Sequence, residues 1–189
     1  MGARPAVFLD RDGVINEAIE RDGKRHSPMS SSEFAFIHGI EAAFDALQSL
    51  QIPIVVVTNQ PEVARGRLTT DALTVMHQLI SDRFEVTDIV FCPHDDADRC
   101  ACRKPKPGMI LSSCARHGLD PGRSVMVGDQ RKDIEAGFAA GCRTILVNNP
   151  VLVAEYERPT LPSGIRPDRH GPSLVSAIPM IVELLGGSP

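Results

Sequence analysis

Short apolar runs, each ending abruptly in polar side chains, alternate along this chain with stretches of helical periodicity, and that alternation leaves few folds open. The first run, Val7-Phe8-Leu9, stops at Asp10-Arg11-Asp12-Gly13. As a strand over 5–9 it puts Phe8 on one face and Val7 and Leu9 on the other. Ile54-Val55-Val56-Val57 is β-branched throughout, as a strand buried on both faces requires, and it ends in Thr58-Asn59-Gln60. Three further strands are predicted: Asp88 to Phe91, Ser124 to Val127 before Gly128-Asp129, and Arg143 to Val147. Between them lie predicted helices. One spans Gly39 to Leu50, with Ile40, Ala43, Phe44 and Leu47 at helical spacing. A second runs from Thr69 or Thr70, either of which could cap it, to Phe84. The others cover Gly108 to His117, stopped by Gly118, and Arg131 to Ala140, stopped by Gly141. Strict strand–helix alternation predicts an α/β fold: a Rossmann-like three-layer sandwich around a mainly parallel sheet. A length of 189 residues suits one domain spanning the whole chain.

The intervening segments read as loops. Residues 17–33 are polar, with turn signals at Asp22-Gly23 and Ser27-Pro28, and are expected to lie as an irregular loop over the exit of the first strand. Residues 61–67 form a second loop and 92–107 a third, rich in Cys and His. None is long enough for a separate cap domain, so the site should be open. Residues 157–172 read as surface loop, and Ser173 to Leu185 as a closing helix that Pro179 should kink or shorten.

Charge and composition exclude several roles. A net charge of −4 argues against a nucleic-acid or anionic-membrane partner. With no Trp and one Tyr there is no stacking surface for single strands. No apolar run has membrane-spanning length. The first strand begins almost at once, which leaves no room for a signal peptide, so a cytoplasmic protein is expected, and an acidic domain without a cap is expected to be a monomer. Its five cysteines are then metal ligands or core residues rather than disulfides. Cys114 and Cys142 are assigned to the core.

In a parallel sheet all strand ends lie along one edge, where ligands bind. Asp10, Asp12, Thr58, Asn59 and Asp129, with Asp133 nearby, therefore converge, and Lys104 can reach the same edge from its loop. Carboxylates this close repel unless a cation sits among them, and Mg2+ takes oxygen ligands. The set suits phosphoryl transfer, which is mainly positioning and charge neutralisation. Separately, Cys92, His94, Cys100 and Cys102 supply three thiolates and an imidazole, a donor set for tetrahedral Zn2+ with no open position.

Asp10-Arg11-Asp12-Gly13-Val14, Thr58-Asn59-Gln60, Lys104 and Gly128-Asp129 with Asp133 resemble the four motifs of the haloacid dehalogenase superfamily of phosphatases. Cys92-Pro93-His94 with Cys100-Ala101-Cys102-Arg103-Lys104-Pro105 is more specific. It resembles the zinc-containing group of heptose-1,7-bisphosphate 7-phosphatases and histidinol-phosphate phosphatases, in which the fold is capless. The resemblance implies Asp10 as nucleophile, Asp12 as general acid and base, and Thr58 and Lys104 as holders of the phosphoryl oxygens. It implies Mg2+ on Asp10, the Asp12 backbone carbonyl and Asp129. Arg11, Asn59, Gln60, Arg65, Arg103 and Gln130 are expected substrate contacts. The implied substrate is a phosphorylated sugar, a heptose bisphosphate losing its 7-phosphate. The alternatives are histidinol phosphate, whose amine and imidazole would call on Glu17, Glu20 or Glu62, a nucleic-acid 3′-phosphate, or a zinc-stabilised interaction module. His26 lies in the loop over the site. Arg158, Arg166 and Arg169 are expected to be solvated.

Overall fold

The structure is a computed structural model and describes residues 2–21, 23–156 and 164–186. Strands β1 (Val7–Leu9), β4 (Ile54–Asn59), β5 (Asp88–Cys92), β6 (Val125–Gly128), β7 (Arg143–Val147) and β8 (Arg169–Gly171) form one sheet in the order β5-β4-β1-β6-β7-β8. Every pairing in it is parallel. The central position of β1 follows from its side chains: Val7, Phe8 and Leu9 are all fully buried, so the strand needs cover on both faces and neighbours on both edges. Val7, Phe8 and Leu9 stand opposite Ile54, Val55 and Val56 on one side and Val125, Met126 and Val127 on the other.

The alternation sorts side chains into two cores, one per face. Val7, Leu9 and Val56 pack with Phe44 and Leu47 of α1 (Ile40–Ser49), Ile80 of α2 (Thr70–Arg83), and Ala177 and Ile181 of α6 (Leu174–Leu184). Phe8, Val55, Val57 and Met126 pack with Met109 and Cys114 of α3 (Gly108–His117) and Ala136 of α4 (Arg131–Ala140). Each fully buried side chain of this kind contributes about 1.5–3 kcal/mol. Thr69 caps α2, its hydroxyl accepting from Ala72 N–H at 3.2 Å. Cys114 and Cys142 are core residues, as expected.

Four expectations need correction. Residues 17–33 contain an antiparallel hairpin, β2 (Ile19–Arg21) with β3 (Lys24–His26), joined by two residues of which Gly23 has φ +68°. A helix, α5 (Pro150–Tyr156), follows β7; Asn149 caps it, its Oδ1 accepting from Leu152 N–H at 3.0 Å, and Pro150 supplies a preset first turn. The stretch read as surface loop to residue 172 includes the edge strand β8. It is fixed by the Asp168 carboxylate, which accepts from Thr144 N–H at 2.8 Å and pairs with Arg143 at 2.9 Å. Finally, α6 runs through Pro179. The carbonyl that Pro179 orphans belongs to Val175, which is 42% exposed, so that flank of the helix is open to water. Arg158 lies outside the described residues. Arg169 is not free, since it pairs with Glu183, and Arg166 likewise has a partner.

Candidate active site

The carboxyl ends of β1, β4 and β6 open into a cleft of about 380 Å³ whose walls include Asp10, Asp12, Thr58, Asn59, Asp129 and Gln130. The strand ends therefore converge as expected. Asp10 leaves β1 with its N–H bonded to Val127 O at 2.9 Å, and only 5% of the residue is exposed. Its Oδ1 accepts from Lys104 Nζ at 2.7 Å. Lys104 also donates to Val57 O at 2.8 Å and lies 2.6 Å from Asp133 Oδ1. Its ammonium thus has two hydrogen-bonded acceptors and a second carboxylate beside it. Lys104 is buried behind Asp10 and is absent from the cleft wall. It is thus a counter-charge to Asp10 and Asp133, set behind the wall from which the sequence reading has it hold the phosphoryl oxygens. Burial opposes its charge, but Asp10 and Asp133 outweigh that and hold its pKa above the ordinary value. Burial and the neighbouring Asp133 push Asp10 up to about 6 against the pull of Lys104.

Asp12 is held differently. Its carboxylate accepts from Arg11 Nε at 3.0 Å, Asn16 Nδ2 at 3.0 Å, Ser27 Oγ at 2.7 Å and Gln60 Nε2 at 2.9 Å. Burial works to raise its pKa, but the Arg11 guanidinium and these hydrogen bonds lower it overall. Arg11 and Gln60 are completely buried. Neither lines the cleft, so both orient the site from behind and are corrected from substrate contacts. Gln60 also donates to Thr58 Oγ1 at 3.0 Å, which leaves the Thr58 hydroxyl hydrogen free to donate into the cleft. Asn59 lines the cleft and also clamps the Lys104 backbone, accepting from its N–H at 3.0 Å and donating to its carbonyl at 2.9 Å.

Asp129 completes the cluster. Its Oδ2 pairs with Arg25 at 2.8 Å and accepts from Gln130 Nε2 at 3.0 Å, whereas its buried Oδ1 has no hydrogen-bond donor. Oxygen atoms of Asp10, Asp129 and Asp133 lie within 4.8 Å of one another. Burial, Asp10 and Asp133 raise Asp129 to about 7, in spite of Arg25. An unpartnered carboxylate oxygen inside an acidic cluster fits a hard divalent cation. The glycine after Asp12 is required here, because Gly13 has φ +93° and a Cβ on it would lie 2.3 Å from Asp129 Oδ2.

Cys92, His94, Cys100 and Cys102 form a second cluster beyond the end of β5. Their sulfurs are 3.2 to 3.6 Å apart, and His94 Nδ1 is 3.3 Å from Cys102 Sγ. These are far too long for disulfides. They are somewhat shorter than the roughly 3.3–3.8 Å edges of a tetrahedron with ligand bonds of about 2.0–2.3 Å, and the grouping of three thiols and an imidazole fits Zn2+. Arg103 follows directly: it donates to His94 O at 3.3 Å and pairs with Asp96 at 2.6 Å.

Beside the cleft is another cavity of about 380 Å³, sharing Arg25, His26, Ser27, Asn59 and Lys132 with it, and walled also by Arg65 and Arg103. Arg65 holds Asp95 through two bonds of 2.6 and 2.8 Å. Arg25, Ser27 and Lys132 escape the sequence reading of the site, and Asn16, which closes the Asp10-to-Asn16 stretch, has no role assigned in it. The Asp22-Gly23 pair between two three-residue runs was the signal for the hairpin that carries Arg25. Ser27 is marked only as half of the Ser27-Pro28 turn signal, and nothing local marks Lys132.

Comparison with known proteins agrees with this geometry. The HAD-hydrolase-like family model matches residues 101–176. The D-glycero-beta-D-manno-heptose-1,7-bisphosphate 7-phosphatase of Vibrio cholerae is 40% identical over 166 residues, covering 81% of this chain and 86% of that protein. The chain belongs to the haloacid dehalogenase-like hydrolases. Within that family it falls among the heptose-bisphosphate phosphatases, and it is a phosphoric monoester hydrolase. A Mycobacterium tuberculosis relative named for the alpha anomer is 35% identical over 157 residues, with 77% of this chain and 80% of that one covered. The crystal structure of D,D-heptose 1,7-bisphosphate phosphatase from B. bronchiseptica, complexed with magnesium and phosphate, superposes with a TM-score of 0.78 at 30% identity, covering 95% of this chain and 98% of that one. Among the described residues no helix is long and apolar enough to cross a membrane.

Proposed function

We propose that this chain, as a single domain, removes the 7-phosphate of D-glycero-D-manno-heptose 1,7-bisphosphate through an aspartyl-phosphate on Asp10. The observation that carries the mechanism is the division of labour between two acids. Asp10 is backed by Lys104, which bonds its Oδ1, and its carboxylate lines the cleft, so its other oxygen serves as the nucleophile. Asp12 is held by Arg11, Asn16, Ser27 and Gln60, beside Asp10. Asp10 attacks phosphorus as the ester P–O bond breaks, and Asp12 protonates the leaving alkoxide. The dianionic phosphate raises the proton affinity of Asp12 for that step. Water then attacks the aspartyl-phosphate, and Asp12, ionised again, takes its proton. The Thr58 hydroxyl donates to a phosphoryl oxygen. Mg2+, held by Asp10 and Asp129, supplies charge neutralisation for the phosphoryl group. Cys92, His94, Cys100 and Cys102 would hold Zn2+, which would fix the loop that aims Arg103.

The basic second cavity supports a substrate with a second anionic group. It disfavours histidinol phosphate, which needs acidic partners. Glu62 is already paired with Arg65 and Arg67, and Glu17 and Glu20 are exposed and outside both cavity walls. A phosphate-release assay comparing both anomers of the heptose bisphosphate with histidinol phosphate and a nucleic-acid 3′-phosphate should give the highest kcat/KM with a heptose bisphosphate. Preference for histidinol phosphate would overturn the substrate and leave the mechanism standing.

The magnesium assignment has a pH signature. In the metal-free fold Asp10 and Asp129 keep protons to about 6 and about 7, against an ordinary 3.8. The folded state then binds more protons than the unfolded state across that window, so this contribution to stability falls as pH rises through it. Binding Mg2+ needs the ionised acids and offsets their repulsion. The magnesium-induced rise in Tm should therefore be larger at about pH 8 than at about pH 5. An equal rise at both, measured by calorimetry, would count against these ligands.

A further inference from the structure

We propose that Lys132 holds the second anionic group of the substrate and makes the site selective for doubly phosphorylated ligands. The inference rests on the phosphatase reading above and extends it to a residue between the two acids of the fourth motif. Lys132 lines both the nucleophile's cleft and the basic cavity beside it. Arg21, Arg25, Arg65, Arg67 and Arg103 also line the second cavity, and every one of them is already bound to a carboxylate. The charge of each is therefore already offset by Glu33, Asp129, Asp95, Glu62 or Asp96, although a guanidinium keeps further N–H groups that can reach an anion. Lys132 makes no hydrogen bond or ion pair among the described residues, so an anion gains its charge without displacing anything. Lys132 lies in the first turn of α4, where the helix dipole disfavours a cation. Its neighbour Arg131 is compensated there by Glu155 at 2.6 Å and by the Tyr156 ring at 5.1 Å; Lys132 has neither. Its charge does reach Asp10, on which it acts to favour the ionised form. A cation against the helix dipole, with no carboxylate paired to it and on the shared wall of two cavities, fits a ligand-binding role.

Calorimetric titration of the magnesium-loaded Asp10→Asn protein, in which bound esters are not turned over, tests this. The probes are heptose 1,7-bisphosphate against heptose 7-phosphate, and fructose 1,6-bisphosphate against fructose 6-phosphate. Adding Lys132→Gln should weaken the bisphosphates about tenfold and the monophosphates less than about twofold, the size of one charge-assisted hydrogen bond. Lys132→Arg should recover part of the loss. In the otherwise wild-type enzyme the same change should raise KM more than it lowers kcat. Equal weakening of bisphosphate and monophosphate, no weakening, or no preference for bisphosphates before the change would overturn the assignment. Selective weakening in the fructose pair, together with failure of the wild-type enzyme to hydrolyse heptose bisphosphate, would instead overturn the heptose reading and uphold Lys132.

Discussion

Replacing Asp10 by Asn should abolish phosphate release, by about 10⁴-fold or more, while leaving the fold intact. Both halves follow from the same contacts. The attacking oxygen is lost, and an amide oxygen at that position cannot form an acyl phosphate. The structural contact survives, because an Asn Oδ1 can still accept from Lys104, whose Asp133 partner remains at 2.6 Å. Asp10 is pushed up to about 6 by burial and by Asp133. Removing its charge therefore relieves repulsion in the metal-free protein as much as it weakens an ion pair. The measurements are single-turnover phosphate release, capture of the phosphoenzyme by acid quench, and Tm. An Asn variant that still releases phosphate near the wild-type rate would end the nucleophile assignment. A variant with lost activity and a collapsed Tm would show that Asp10 holds Lys104 in place more than it attacks phosphorus.

What could be read in the sequence was what a single physical demand imposes. Ile54-Val55-Val56-Val57 is apolar on both faces, and only a covered parallel strand satisfies it; all four are buried in β4. The convergence of Asp10, Thr58 and Asp129 follows from the parallel sheet alone. The elements that were missed have no such demand. The hairpin over the site buries little; ion pairs from Arg21 to Glu33 and from Arg25 to Asp129 tie it down, across 12 residues and across more than half the chain. Strand β8 is Arg-His-Gly, with no apolar alternation, and its anchor is the neighbouring Asp168. The role of Lys104 was half legible. Its loop does reach the catalytic edge, but the Asn59 clamp sets the path of that loop from 45 residues away. That path turns the ammonium inward, behind Asp10. Arg11 misleads for a similar reason, since a guanidinium between two acids looks like a substrate contact until its burial is known.

Removing zinc should lower both stability and activity, through separable contacts. With Zn2+ absent, Cys92, Cys100 and Cys102 must stay protonated or repel one another, and burial already pushes the Cys92 thiol up. Purified protein should carry about one tightly held Zn2+ per chain, and Cys102→Ser or strong chelation should lower Tm by about 10 °C, the shift expected for roughly 4 kcal/mol in a chain of this size. The loss should reach the active site by two routes. Cys92 O accepts from Gln60 N–H at 2.8 Å, and Gln60 in turn holds Asp12 and Thr58. Loosening this end of β5 should therefore lower kcat. His94 O accepts from Arg103, whose guanidinium faces the second cavity; freeing the loop should therefore raise KM for a bisphosphate more than for a monophosphate. Partial zinc loss followed by metal content, Tm and both kinetic constants would connect the three. Protein that never held zinc, with Tm and KM unmoved by Cys102→Ser, would reduce the four side chains to an unligated loop and leave the aim of Arg103 to its Asp96 pair alone.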